Sequence, residues 1–324
     1  MKKIIKFLTI LPFALIISLF NVSNARAESE KIYLGGCVAG FSITTEGAEV
    51  VGICDVITND GVKSPAKHAG IIIGDIILEI GDLKTNNAND VAAAIKDGDN
   101  KPVKVKRAGE TFITKVVPEK DMTGIYKLGV FIRDDINGMG TITFFNEKEF
   151  AALGHPVISP DGNVMKITGG KIFNCNVTGA VKGERGKAGE LKGVFVGEPY
   201  GVIEKNTLTG VYGNVINKNG FNLKEIGIGE GVVGDASIYS TVNGEGVKEY
   251  KISIVKVDKD NKSNKNFVIK TNDKNLIEQT GGIVQGMSGS PIVQNGKLIG
   301  AVTHVFINDP TRGFAISISK MLEK

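Results

Sequence analysis

The sequence of 324 residues contains no tryptophan, only three cysteines and only three histidines. The cysteines show no Cys-x-x-Cys spacing, which argues against a zinc site or a disulfide framework. The histidines form no His-Glu-x-x-His motif, so the zinc peptidases that use this motif are excluded. We therefore expect a protein that needs neither a metal ion nor another cofactor.

Long apolar runs are missing beyond the N-terminus. Residues 7–20 form a mostly apolar run of 14 residues, preceded by three lysines and followed by Ala25-Arg26-Ala27. This is the pattern of a secretory signal cleaved after Ala27, and the run is shorter than the roughly 20 residues of a permanent membrane span. We predict a signal peptide over residues 1–27, and an uncleaved anchor formed by residues 7–20 is the alternative.

A marked excess of one charge is missing as well. The formal net charge is +4, and the first 27 residues contain four basic residues and no acidic one. The remainder of the chain is therefore close to neutral. Because no basic surface remains to neutralise phosphates, we expect no nucleic-acid partner.

Glycine, in contrast, is abundant. The 42 glycines are about twice the usual share, and they separate many short apolar runs. This pattern predicts turns and short strands, so the fold class is mostly β. The length accommodates a signal segment, a small module and a larger domain, which we place at residues 1–27, 28–120 and 121–324.

The segment 28–120 predicts a small sheet with two helices. Ser64-Pro65 supplies a capping hydroxyl and a proline for the start of the first helix, and the second helix spans about Asn89 to Lys96. The run from His68 to Ile80, which contains a glycine-aspartate turn, resembles a bacterial PDZ domain.

The PDZ resemblance implies an α+β module that binds peptide termini. The loop at Gly40 and Phe41 would hold a terminal carboxylate on its amides, and the peptide would add as a strand beside the helix near Asn89. The alternative is a packing module that binds no peptide.

A candidate nucleophile lies in the string Gly286-Met287-Ser288-Gly289-Ser290-Pro291, just before a predicted strand. A serine between glycines suits this role, because the backbone turns sharply and exposes the hydroxyl while neighbouring amides point at one spot. The amides of Gly286 and Ser288 would form the oxyanion hole. Ser290 is the rival hydroxyl.

A candidate base lies in Gly154-His155-Pro156, on a predicted loop. Catalytic groups lie preferentially on loops. His304 lies inside an apolar strand, and we expect it to be a hydrogen-bonded sheet residue. His155 is therefore the candidate base for Ser288.

These strings resemble the stage IV sporulation protein B family, which are signalling serine peptidases with a PDZ domain from endospore-forming bacteria. The matching stretches are Gly138 to Phe144, Ala152 to His155, and Thr280 to Thr311. The resemblance implies a chymotrypsin-like double β-barrel after the PDZ domain, with His155 as base and Ser288 as nucleophile.

The resemblance also implies that Asp273 is the acid of the triad. Only 15 residues separate Asp273 from Ser288, a much tighter spacing than in chymotrypsin-like enzymes, so Asp235 is the alternative. Pro156 departs from the glycine or aliphatic residue that other family members have after the histidine. It would stiffen the loop or mark a divergent paralogue.

For function, the resemblance implies export across the forespore membrane into the intermembrane space and self-cleavage. The protein substrate would be a membrane-bound regulator of an intramembrane protease, whose cleavage lets a late sigma factor mature. Self-association is a further expectation, and the charged segment Lys182 to Lys192 is a candidate recognition or self-cleavage site. Two other functions stay open: a PDZ scaffold or sensor without catalysis, and a general quality-control protease.

Overall fold

The computed structural model describes residues 31–133, 135–159, 162–217 and 224–323. The predicted signal peptide and the alternative anchor both lie outside these residues. Within the described part of the chain, no helix is both long and apolar enough to cross a membrane.

The described residues before position 134 form twelve strands and two short helices. They are β1 (Tyr33–Leu34), β2 (Val38–Thr45), β3 (Ala48–Ile53), β4 (Val56–Thr58), β5 (Gly61–Lys63), α1 (Pro65–His68), β6 (Ile76–Ile80), β7 (Leu83–Lys84), α2 (Ala88–Ala94), β8 (Lys101–Arg107), β9 (Glu110–Val116), β10 (Glu119–Lys120), β11 (Tyr126–Lys127) and β12 (Val130–Arg133).

The described residues after position 134 add twelve further strands and two helices. They are β13 (Ile136–Phe145), β14 (Glu149–Ala152), β15 (Ile167–Val181), β16 (Glu190–Thr207), β17 (Gly210–Val215), β18 (Gly227–Ile228), β19 (Gly234–Ser240), β20 (Lys248–Val257), β21 (Phe267–Thr271), α3 (Lys274–Thr280), β22 (Pro291–Gln294), β23 (Lys297–Phe306), β24 (Asp309–Ser317) and α4 (Ile318–Leu322).

The first barrel is a closed sheet of six antiparallel strands in the order β13-β14-β17-β16-β15-β2. It closes because β2 pairs with both β13 and β15, and β1 pairs with the end of β13 on the edge opposite β14. Alternate residues of these strands point into the barrel, where Ile142, Phe145, Phe150 and Ile172 are almost fully buried.

The second barrel is built in the same way from β23-β22-β19-β20-β21-β24, and pairing of β23 with β24 closes it. Two apolar clusters join the barrels, because residues of both contribute to each cluster. Leu191 of the first barrel packs with Met287 and Val302 of the second, and Phe144 packs with Ile316. The predicted double β-barrel is therefore confirmed, and the space between the barrels is where the functional site lies.

The PDZ domain is a separate sheet in the order β12-β3-β6-β8-β9, with β7 beside β6. Its core contains Val50, Ile77, Ile80 and Val103 together with side chains of α1 and α2. Asn87 caps α2 by accepting a hydrogen bond from the Asp90 amide at 2.9 Å. The predicted α+β architecture of this module is confirmed.

One prediction about this module is wrong. Gly40 and Phe41 lie in the middle of β2, where Gly40 pairs with Met139 on one side and with Phe173 on the other. Both edges of β2 are occupied, so neither residue can hold a peptide terminus. The PDZ sheet begins at β3. The preceding strand, β2, belongs to the first barrel, which closes only when β2 pairs with β13 on one side and with β15 on the other.

Candidate active site

The loop that carries Ser288 joins α3 to β22. Gly286 and Gly289 have φ angles of +95° and +94°, which favour glycine, and the Ser290 amide closes the turn by donating to the Met287 carbonyl at 2.9 Å. A Cβ atom on Gly289 would lie 2.0 Å from the Thr141 carbonyl oxygen. The glycines around Ser288 are therefore required by the backbone.

The first barrel fixes this loop through two threonines of β13. The Thr141 amide donates to the Ser288 carbonyl, and the Thr141 hydroxyl donates to the Gly286 carbonyl, both at 2.8 Å. The Thr143 hydroxyl donates to the Gly289 carbonyl at 2.8 Å. The loop that carries Ser288 belongs to the second barrel and is thus held by a strand of the first.

Burial distinguishes the two candidate serines. Ser288 is half-buried and borders an open cleft, and its hydroxyl donates to the Thr303 carbonyl at 2.7 Å. Ser290 is 0% exposed, and its hydroxyl lies 3.5 Å from the Thr141 hydroxyl inside the protein. Only Ser288 is accessible to a substrate carbonyl.

The amides of Gly286 and Ser288 are free to donate. In the described part of the chain the structure contains no acceptor for either amide, whereas the Met287 and Gly289 amides donate to the carbonyls of Val284 and Val302. Two unengaged donors beside a serine hydroxyl are the chemical requirement of an oxyanion hole.

His155 follows β14 on a loop bent by positive φ angles at Leu153 and Gly154. Its Nδ1 lies 2.8 Å from the Pro156 carbonyl oxygen. Because a carbonyl only accepts, Nδ1 carries the proton and Nε2 of the neutral ring keeps a lone pair. Burial lowers the pKa of His155 below its ordinary 6.5, although the Pro156 carbonyl opposes this effect. The ring is therefore a neutral base at pH 7.

His304 is a site residue that the sequence did not reveal. Its ring lies against the ring of His155, with a centroid distance of 4.9 Å and an interplanar angle of 39°. Burial, the nearby His155 and Lys265 lower its pKa to about 4, so it is neutral at pH 7. Its position inside the apolar strand β23 suggested a sheet residue. His304 does lie in the sheet, opposite Phe314. The available signal was that it is one of only three histidines in the sequence.

A cleft of about 560 Å³ between the barrels contains both histidines and Ser288. Its walls are mainly apolar and its polar side chains carry no carboxylate. Its lining includes Ile136, Asn137, Gly138, Met139, His155, Ala188, Ser288, His304 and Ile307. An extended peptide segment fits the chemistry of such a surface, since apolar walls accept side chains and a few polar groups fix orientation.

Among the residues that the structure describes, no aspartate forms a hydrogen bond or an ion pair with His155. Asp273 is the N-cap of α3, where one carboxylate oxygen accepts from the amides of Asn275 and Leu276 and the other accepts from the Lys251 amide. Asp235 lies in β19 beside Ser253, on the wall of a different cavity. The implied triad acid is thus corrected: Asp273 has a capping role, and the Pro156 carbonyl takes the position next to Nδ1 of the histidine.

The described residues contain no group of three or more His, Cys, Asp or Glu side chains with the geometry of a metal site. The three cysteines are free. Burial raises the pKa of Cys37 to about 12, so this thiol is not a nucleophile at neutral pH.

Two β-barrels beside a PDZ domain, with an accessible serine and a neutral histidine in the cleft between them, define a PDZ-containing serine peptidase. The chain belongs to the SpoIVB peptidase S55 family, whose model matches residues 124–322. A PDZ domain model matches residues 56–107.

Among curated proteins, the chain is similar to serine protease HTRA2, mitochondrial, of Bos taurus, with 39% identity over 58 residues. The match spans 18% of this chain and only 13% of that relative's length. Among solved structures, it is similar to the inactive form of Rv3671c protease, with 12% identity and a TM-score of 0.35 over 57% of this chain and 81% of that one. An inactive serine-to-alanine mutant of Rv3671c from M. tuberculosis H37Rv gives 14% identity, a TM-score of 0.32 and coverages of 57% and 80%.

The lowered pKa of His155 predicts that the rate of active-site labelling declines only at a lower pH than an ordinary histidine would give. The base works in its neutral form, so we expect the second-order rate of labelling by a fluorophosphonate to stay high at pH 6.5 and to fall only below it. The pKa of His155 is lower in the folded chain than in the unfolded chain. Below pH 6.5 the unfolded chain therefore binds more protons, and the free energy of unfolding decreases as the pH falls. Labelling rates measured between pH 4 and 9 test this, and an acid limb centred above pH 6.5 would contradict it.

The capping role of Asp273 predicts an effect on stability rather than on rate. We expect Asp273→Ala to lower the free energy of unfolding by about 1 kcal/mol, because two amides of α3 lose their acceptor, while the labelling rate changes less than about threefold. Asp273→Asn, which retains a capping oxygen, is the matched control. A large rate loss in both variants, without loss of stability, would restore Asp273 as the triad acid.

Proposed function

We propose that Ser288 is the nucleophile, that His155 is its general base, and that the amides of Gly286 and Ser288 form the oxyanion hole. The observation that carries this proposal is the shared cleft, in which an accessible serine, a histidine with a free Nε2 and two unengaged amides meet. These are the components needed for acyl transfer.

Catalysis begins when the Ser288 hydroxyl turns from the Thr303 carbonyl and donates to Nε2 of His155. The oxygen attacks the peptide carbonyl as its proton passes to His155, and the developing oxyanion accepts from the two amides. His155 then gives the proton to the leaving amine, and the acyl-enzyme forms. Water, deprotonated by His155, attacks this ester and releases Ser288 and the carboxylic acid product.

The proposed setting is endospore formation. The peptidase is exported across the forespore membrane, cleaves itself, and cuts a membrane-bound regulator of an intramembrane protease, which triggers activation of a late sigma factor. Membership of the S55 family supports this setting through the family's name. The PDZ domain supports a protein partner, since PDZ domains bind extended peptides.

The proposed self-cleavage site lies at the rim of the cleft. Residues 184–187 form the exposed tip of the β15-β16 hairpin, and the Gly186 amide donates to the Ile307 carbonyl at 2.8 Å. Ala188 and Ile307 both line the cleft. A hairpin tip is not extended, so cleavage between two molecules, after the tip opens, is the favoured route.

The decisive comparison is between wild type and Ser288→Ala in two assays. With the purified chain from residue 28, wild type should be labelled by a fluorophosphonate, release fragments cut within residues 182–192, and leave unfolded casein largely intact. In an endospore former that lacks its own family member, wild type but not Ser288→Ala should restore heat-resistant spores. Restoration by Ser288→Ala would support the scaffold, and extensive casein degradation would support quality control.

A further inference from the structure

Two cations and two aromatic rings form a surface patch on β23, β24 and the loop before β21. The rings of Phe306 and Phe314 lie against each other, with a centroid distance of 4.6 Å and an interplanar angle of 50°. Nζ of Lys265 lies 4.7 Å from the centroid of the Phe314 ring, and Cζ of Arg312 lies 5.6 Å from the centroid of the Phe306 ring. These four residues are the basic aromatic patch.

The basic aromatic patch adjoins the cleft at His304. His304 is paired with Phe314 across β23 and β24, and Phe306 follows it by two residues in β23. Burial, His155 and then Lys265 lower the pKa of His304, so the charge of Lys265 acts on a ring of the cleft. Because a strand rises about 3.3 Å per residue, Phe306 lies about 7 Å beyond His304 along β23. An extended peptide bound at Ser288 therefore reaches the patch within a few residues.

The side chains of β24 alternate between the inside and the outside of the second barrel. Ala315 packs in the core of that barrel, whereas Ile316 packs against Phe144 of the first barrel. Arg312 and Phe314 have the same parity as Ile316 in a strand without irregularity along its pairing with β21, so they point to the same side. The patch therefore faces the side on which the two barrels meet and the cleft opens.

The two cations have no carboxylate partner among the residues that the structure describes. Nε of Arg312 is shielded from solvent and has no hydrogen-bond acceptor there. Asp309 accepts hydrogen bonds from the amide and hydroxyl two residues further on, and Asp258, which lines a small cavity with Lys265, accepts one from Asn261. A half-buried cation without an acceptor is unfavourable unless an anion from outside binds it.

The cleft itself gives a substrate no charged partner. Its lining contains no lysine, arginine, aspartate or glutamate. In the basic aromatic patch, by contrast, the aromatic rings hold the two cations in place while their N–H groups stay free to donate. A carboxylate complements such a pair of cations, whereas a basic side chain is repelled by it.

We propose that the basic aromatic patch is a subsite for a carboxylate side chain of the protein substrate, about two to five residues from the bond that is cut. This distance is counted from Ser288, so the inference rests on the proposed nucleophile. An aspartate or glutamate at this distance accepts from Lys265 and Arg312 while the residues next to the scissile bond fill the apolar cleft. Such a requirement restricts cleavage to few sites, which favours a signalling peptidase over quality control.

Binding of two labelled octapeptides to the Ser288→Ala protein tests the subsite without cleavage. Both peptides have four central valine and alanine residues, and two glutamates or two glutamines at each end. We expect the glutamate peptide to bind at least fivefold more tightly in 50 mM NaCl, and this preference should shrink in 500 mM NaCl because salt screens half-exposed charges. Equal dissociation constants for the two peptides in 50 mM NaCl would overturn the proposal.

Substitutions in the same Ser288→Ala background assign the preference to the patch. Lys265→Gln and Arg312→Gln should each reduce it, and the double variant should bring it below twofold. Arg312→Lys keeps the charge and should retain most of it, which separates the charge from the packing of the side chain. Lys171→Gln, which removes an exposed lysine of the first barrel, is the control for net charge and should leave the preference unchanged. A preference that survives in a folded double variant, or that Lys171→Gln reduces equally, would overturn the proposal.

Fluorophosphonate labelling of wild type separates this subsite from the proposed nucleophile. The glutamate peptide should slow labelling at a concentration at which the glutamine peptide does not, and equal protection by both would remove the subsite while leaving Ser288 in its role. If wild type is not labelled at all, the nucleophile is wrong. A glutamate preference that still depends on Lys265 and Arg312 would then show that the patch binds carboxylates independently of catalysis at Ser288.

Discussion

Replacing Ser288 by alanine is expected to abolish fluorophosphonate labelling and to lower the rate of peptide cleavage on the order of 10⁴-fold or more. The hydroxyl is the only accessible one in the nucleophile loop, and the carbonyls of Gly286 and Ser288 are held by Thr141 whether or not the hydroxyl is present. The variant should therefore still fold, with a stability loss of about 1 kcal/mol from the lost hydrogen bond to the Thr303 carbonyl. Labelling, cleavage and thermal unfolding on one preparation measure all three quantities.

Ser290→Ala is the matched control, since it removes a hydroxyl two residues away in the same turn. Its side chain is 0% exposed and makes only a long contact to the Thr141 hydroxyl, so most activity should survive. If Ser290→Ala is the inactive variant while Ser288→Ala retains labelling, the nucleophile is misassigned. Partial loss in both variants would point to an indirect effect of the loop.

Gly40→Trp is expected to unfold the first barrel. A Cβ atom at this position would lie 2.3 Å from the Phe195 ring, so the indole cannot be added unless that ring and its neighbours are displaced. Overpacking of this severity should lower the free energy of unfolding by about 3 kcal/mol or more. Labelling and cleavage should disappear together, because β13, which holds the nucleophile loop, is a neighbour of β2.

Gly179→Trp in β15 is the control for bulk alone. A Cβ atom there meets nothing within 4 Å, so the indole can lie in solvent and stability should change little. If Gly40→Trp instead folds, keeps labelling and loses only cleavage of a partner protein, then Gly40 belongs to the peptide-binding loop that the sequence suggested, and the placement of β2 in the barrel is wrong.

Local sequence was sufficient where the backbone itself imposes a residue type. Gly286 and Gly289 have positive φ angles, so the string that contains them predicted the sharp turn at Ser288 without knowledge of the fold. The PDZ run from His68 to Ile80 was similarly informative, because its turn and its alternating apolar residues are local features. His155 was accessible to the same reasoning, since it follows a glycine at the end of an apolar stretch.

Pairing partners were not accessible in this way. The residues of β2 predict a strand, but they do not say which strands it pairs with. It could have been an edge strand of the PDZ sheet, whereas it closes the first barrel between β13 and β15. These two strands begin about 100 or more residues further along the chain. For the same reason Phe131 and its neighbours, which lie beyond the predicted domain boundary at residue 120, gave no sign that they pair with β3.

The sequence by itself determined the mostly β class and the PDZ module and named Ser288 and His155 as candidates, because each depends on residues close together in the chain. Tertiary structure alone decided that Asp273 caps a helix, that the Pro156 carbonyl faces Nδ1 of His155, and that His304 lies against the His155 ring. The contact between His155 and His304 depends on side chains that meet across two barrels. The capping contacts of Asp273 and the Pro156 contact are made within three residues of the chain, and they depend on where α3 begins and on how the His155 loop turns. Asp273 is close to Ser288 in sequence, but α3 begins directly after it. The unpaired amides of the first helical turn therefore take its carboxylate as their acceptor.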